Sequence, residues 1–133
     1  MLTEKDYCDY ETCVALKELG YKGISRFFYA TKESPLRRYS YDQILTTRIA
    51  DAVGHTLAIS LYVAQKWLRE EKNIEANASF DKKDNGWITF IQRLDYPDLC
   101  GTDVLSTVYN TYEAALSEGI KEAIKILKDG NGI

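Results

Sequence analysis

Apolar and polar positions along the chain divide it into helical and extended stretches. Asp9 is a residue type that caps helices, and Val14, Leu16 and Leu19 run on from it to Gly20, so a first helix of roughly ten residues is expected there. Ser25 to Ala30, rich in aromatics and bounded by Gly23 and the polar run Thr31 to Pro35, reads as a strand. Ser40 with Gln43 three residues on forms a capping box, and Ile44, Ile49 and Val53 predict a second helix that ends at Gly54. Thr56 is expected to open a third, in which Leu57, Leu61, Ala64 and Leu68 recur on one face while Gln65, Arg69, Glu70 and Lys72 take the other.

From Ile74 the period changes from helical to alternating. Ile74, Ala76, Ala78 and Phe80 alternate with Glu75, Asn77 and Ser79, and a second run through Trp87, Thr89 and Ile91 follows Asn85-Gly86, which predicts an antiparallel hairpin with its second strand interior. Trp87 and Phe90, an odd number of residues apart, should then lie on opposite faces. Asp95 to Thr107 reads as a connection, with a short edge strand from Val104 to Tyr109. Asn110 and Glu113 are expected to cap a final helix that faces inward through Tyr112, Leu116, Ile120, Ala123, Ile124 and Leu127 and ends near Gly130. Gly119 lies beside that stripe, where a missing side chain would let the helix come close to the sheet.

Together these elements predict an α+β fold: a small two-layer sandwich whose antiparallel sheet consists of the hairpin 74–80/87–94 plus strand 25–30, covered by amphipathic helices. With 133 residues, a single domain over 1–133 is expected. The composition agrees, since 45% hydrophobic and 28% charged residues with only two prolines exclude disordered and low-complexity classes. A net charge of −3 supplies no global basic field for a nucleic-acid backbone. Even the richest apolar stretch, Leu57 to Ala64, is broken by Ser60, so no membrane span is expected. The first residues lack the basic start and apolar core of a signal peptide, and three cysteines do not make a framework, so a cytoplasmic location with reduced thiols is expected.

The chemistry-bearing residues are sparse. His55, the one histidine, sits beside Gly54 and reads as a loop or cap residue, although an imidazole there could serve as a general base. Cys8 and Cys13 have one spacing found in zinc sites but lack two further ligands nearby. Cys100 beside Gly101 suggests a thiol nucleophile that would need His55, a small cysteine-dependent hydrolase being the enzymatic alternative. Phosphate-binding glycine motifs are absent. The sequence therefore predicts no catalytic residues, no metal and no cofactor.

Binding is the better-supported class. Between Lys22 and Arg38 five cations face one acid, Glu33, and aromatics are interleaved with them. Ten tyrosines lean toward an interaction surface. Arg37, Arg38, Tyr39 and Tyr41 follow the turn signals Ser34 and Pro35 and are of the types enriched at binding hot spots, so they form the candidate site. A protein partner is favoured over nucleic acid, and a second copy of the chain is one candidate.

Three segments, Met1 to Tyr7, Ala64 to Glu71 and Tyr109 to Leu116, resemble a family of short uncharacterised proteins of gut-bacterial genomes and mobile elements. That resemblance implies a small cytoplasmic accessory protein without an assigned activity. Residues 74–127 also resemble the HicB-like antitoxins, through the hairpin at Asn85-Gly86, the segment Tyr96-Pro97-Asp98-Leu99-Cys100-Gly101 and the helix opening Thr111-Tyr112-Glu113-Ala114-Ala115-Leu116. This second resemblance implies binding to a small toxin RNase and, in many members, DNA binding through a further C-terminal element for which the chain after residue 127 leaves little room.

Overall fold

The computed structural model describes residues 2–39, 44–95 and 102–131. It is α+β, and it divides into two compact units, Met1–Ser60 and Leu61–Ile133. Among the described residues, no helix is long and apolar enough to cross a membrane.

In the first unit a 3₁₀ turn, Glu4–Asp6, precedes helix α1, Tyr10–Glu18. The Asp9 side chain accepts a bond from the Thr12 N–H at 2.8 Å and so satisfies one of the donors that a helix start leaves free. Cys8 and Cys13, 0% and 1% exposed, flank that cap one residue before it and four after it. These are the positions at which two apolar side chains staple the entry of a helix. The Cys13 thiol also donates to the Cys8 carbonyl at 3.6 Å, and the Tyr29 hydroxyl donates to the same oxygen at 2.7 Å. At the other end Gly20 takes φ 109°, the Tyr21 N–H bonds the Leu16 carbonyl at 3.0 Å, and the Gly20 N–H bonds that of Lys17 at 3.0 Å. This left-handed cap closes the helix where the glycine predicted it.

Six short pieces complete this unit: strands β1 (Ile24–Ser25), β2 (Phe27–Tyr29), β3 (Arg37–Arg38), β4 (Leu45–Thr46) and β5 (Thr56–Leu57), and helix α2 (Thr47–Ala52). β1 pairs with β4, and β2 lies between β3 and β5, all antiparallel. The Tyr7–Ser60 bridge and the bond from the Cys8 N–H to the Ile59 carbonyl, 2.9 Å, tie the first residues to the last.

Two helix boundaries differ from expectation. The proposed capping pair Ser40 and Gln43 lies outside the described residues, and the helix there begins only at Thr47, with the Thr46 hydroxyl accepting from the Ile49 N–H at 3.2 Å. Ile44, Ile49 and Val53, whose spacing suggested a buried face, are roughly half exposed, and Leu45 and Ala50 are buried instead. Thr56 and Leu57 open no helix. They pair with Tyr29 and Phe28, and the whole run Thr56 to Ser60 is buried, so its apolar content reflects an extended segment covered on both faces.

The second unit contains α3 (Leu61–Lys72), β6 (Ile74–Asp81), β7 (Gly86–Arg93), β8 (Thr102–Tyr109) and α4 (Tyr112–Asn131). Asn73 takes φ 55° and closes α3, so that β6 starts at the next residue. β6 and β7 form the expected hairpin, with Asn85 at φ 52° in its loop, and β7 is interior in the order β6-β7-β8. The expected partner strand 25–30 does not join this sheet. It splits at Arg26 into β1 and β2, which belong to the other unit, and the third strand is supplied by 102–109, longer than the sequence suggested. Helices α3 and α4 cover one face of the sheet and bury Leu68, Ile74, Ala76, Ile91, Leu116 and Ile120. Thr111, one residue later than expected, caps α4 by accepting from the Ala114 N–H at 3.1 Å.

Gly119 accounts for how closely α4 sits on the sheet. A Cβ there would lie 2.9 Å from Thr89 Cγ2 and 3.4 Å from Ala76 Cβ. Thr89 cannot turn aside freely, because its hydroxyl donates to the Ala115 carbonyl at 2.8 Å. Trp87 and Phe90 do part as expected: Trp87 packs edge-on against Phe80 and Tyr112 at 5.3 Å each, while Phe90 lines the opposite face with Asn77 and Gln92.

Candidate interaction surface

The candidate site lies on the first unit, at the open edge of the three-stranded sheet. Phe28, central in β2, is buried and anchors the arrangement. The His55 ring stacks on it at 4.5 Å and 16°, and the Tyr39 ring meets it edge-on at 4.6 Å. The Tyr39 hydroxyl and His55 Nδ1 are 3.3 Å apart. Behind the strand, the turn at 31–34 is closed by the Ser34 N–H on the Thr31 carbonyl at 3.1 Å, and Pro35 follows, exposed. β3 then runs back with Arg37 opposite Phe28 and Arg38 opposite Phe27, and the Tyr39 N–H bonds the Arg26 carbonyl at 2.8 Å.

Of the four residues singled out from the sequence, Arg37 and Arg38 share this edge and are exposed. Being consecutive in a strand, they point to opposite faces. Tyr39 is half-buried and serves the packing around Phe28 and His55 more than the surface. Tyr41 lies outside the described residues, as does Cys100.

Among the described residues, His55, the candidate base, and Cys8, a candidate metal ligand, are engaged in packing. His55 spends its ring face on Phe28 and Nδ1 on Tyr39. The hydrogen bond with the Cys13 thiol, and burial after it, hold the Cys8 thiol well above its ordinary value. Such a thiol is a poor nucleophile. Burial likewise raises the Tyr21 and Tyr29 hydroxyls, with the two neighbouring cysteines adding to the effect. Among the described residues no three His, Cys, Asp or Glu side chains gather as metal ligands.

A surface the sequence reading passed over lies beside β1 and α2, where Lys22 and Arg48 line one pocket. Lys22 belongs to the basic stretch noted above, but Arg48 is far from it in sequence, and only the β1–β4 pairing brings the two segments together. In comparisons with known proteins, no family model, no curated protein and no solved structure matches the chain.

Proposed function

We propose that the chain is a non-enzymatic interaction module whose first unit meets an acidic segment of a protein partner along β3. The observation that carries this reading is the pair of exposed arginines, Arg37 and Arg38, on an edge strand fixed from behind by buried Phe28. An extended acidic segment pairing with that edge would present carboxylates to both faces, one to each guanidinium, in charge-assisted bonds. Arginines on an edge can also merely prevent unwanted strand pairing. A double variant, Arg37→Ala with Arg38→Ala, separates the two roles.

For a docking edge, a labelled acidic peptide binds the wild-type chain and loses that binding in the variant. Exposed substitutions of this kind change stability by no more than about 0.5 kcal/mol. Unchanged peptide binding, or new self-association of the variant in gel filtration, would assign the arginines to edge protection. Preference for a single-stranded oligonucleotide over the peptide would move the reading to nucleic acid. Tyr39 is left out of the test because its ring belongs to the packing around Phe28.

An antitoxin-like regulator is the second reading. The hairpin β6–β7 followed by the terminal helix α4 supports it, these being two of the three segments that resemble HicB, while the third, Tyr96 to Gly101, lies outside the described residues. That reading expects co-purification with a small RNase.

A further inference from the structure

The first unit carries a half-open pocket of about 640 Å³, framed by Lys22 and Ile24 on one side and by Thr46, Thr47, Arg48 and Asp51 on the other. The volume lies within the range of small-molecule sites, about 300–1,000 Å³. Its frame is held by internal hydrogen bonds: the Thr47 hydroxyl accepts from the Gly23 N–H at 3.2 Å, and the Thr47 N–H donates to the Gly23 carbonyl at 3.3 Å. The wall is mostly apolar, and Ile24 stands 64% exposed on it, a large side chain with little to cover it.

The charges on this wall are unequal. Asp51 is held by Lys17 of α1 at 2.9 Å, so its charge is already answered. Lys22 and Arg48 have no such acid among the described residues, which leaves two cations over an apolar surface. An anion in this pocket would be attracted by both, and an apolar body attached to it would cover Ile24. Among the described residues that line the pocket there is no aromatic ring for a nucleobase to stack on.

We propose that this pocket binds a small organic carboxylate on an aliphatic stem, its charged end between Lys22 and Arg48 and its stem on Ile24. The planar carboxylate suits the forked donors of Arg48, and Lys22 adds a point charge. This site uses none of the residues assigned to the β3 edge and stands or falls apart from that reading.

Titration of the intact chain with sodium octanoate, followed through backbone amide resonances, tests it. Saturable shifts at residues 22–24 and 46–51 are expected, with octanol and acetate each binding at least tenfold more weakly because one lacks the charge and the other the stem. Arg48→Ala and Lys22→Ala should each weaken octanoate about tenfold, the loss typical of a hydrogen-bonded charge pair. Ile24→Ser should weaken octanoate while leaving acetate unchanged. All three side chains are exposed, and retained amide dispersion will show that the variants fold. Octanol binding as tightly as octanoate, inorganic phosphate binding as tightly as either, shifts centred elsewhere, or no saturable response would each overturn the proposal.

Discussion

Gly119 and Thr89 meet at a distance that leaves no room for a methyl group, and the two effects of adding one oppose each other. Replacing a mid-helix glycine by alanine gains about 1 kcal/mol of helix propensity, whereas overpacking a core costs typically 1–3 kcal/mol. Because the Thr89 hydroxyl is held on the Ala115 carbonyl, the clash with Cγ2 is expected to win, and Gly119→Ala should lower the free energy of unfolding in urea by about 1 kcal/mol. Thr89→Ser removes only the offending methyl and keeps the hydroxyl. The double variant should therefore recover most of the loss, and strict additivity in the cycle would show that α4 is not held by this contact.

The Cys8 thiol supplies a second residue-level expectation. Its folded-state value is raised, so the folded chain keeps a proton that the unfolded chain loses above about pH 8.5, and unfolding is then favoured as pH rises. The contribution is fully present below that pH and is lost above it, with Tyr21 and Tyr29 extending the loss above about pH 10. Urea midpoints should fall from about pH 8.5 upward, and Cys8→Ala should flatten the first part of that fall. A midpoint that rises over this interval would contradict the burial of the thiol.

At the scale of elements, stability in this chain depends on how short pieces are ended. α1 has nine residues, too few to persist alone, and relies on the Asp9 cap, the Cys8–Cys13 staple and the Gly20 turn. Asp9→Ala should cost about 1 kcal/mol, while Asp9→Ser should cost much less because a serine oxygen can accept from the same Thr12 N–H. Equal losses in chemical denaturation would show that the acid acts through its charge. α3 has a comparable device in Asn73, whose left-handed backbone turns the chain from helix into β6 without an intervening loop. The caps at Asp9 and Gly20 were legible because their chemistry is local. The start of α3 was not. Thr56 to Ser60 has the apolar content of a helix face, and what makes it extended is pairing with β2, a contact between residues about thirty positions apart.

For the whole molecule, the two compact units supply separate cores, Leu16, Tyr21, Phe28 and Leu57 in the first, and Leu68, Ile74, Ile91, Leu116 and Ile120 in the second. In the second unit the hairpin, α3 and α4 bury their apolar faces on one another, and β8 is tied to them by its ladder with β7, so the fragment Leu61–Ile133 should unfold cooperatively in urea by circular dichroism. A broad, non-cooperative transition would mean that its core requires the first sixty residues. The first unit, built from strands of two or three residues, has few ladder bonds to hold it and is expected to be the less stable fragment.

The sequence alone determined what depends on neighbours in the chain: the class α+β, the hairpin at 74–80/87–94, the first and last helices, and the close approach at Gly119. Each follows from a period of two or 3.6, or from a residue whose backbone or side chain suits a cap or a turn. Tertiary structure decided which strands share a sheet. Strand 25–30 carries a strong local pattern, but nothing local tells it to pair with Arg37–Arg38 and Thr56–Leu57 and not with the hairpin. It also decided the use of side chains. Tyr39 is of a hot-spot residue type and is spent on Phe28 and His55, while Lys22, from the basic stretch, and Arg48, unremarkable in sequence, line one pocket. Strand partners and pocket walls are assembled by burial among residues distant along the chain, and a one-dimensional pattern records only that a position is apolar or charged, not which surface will cover it.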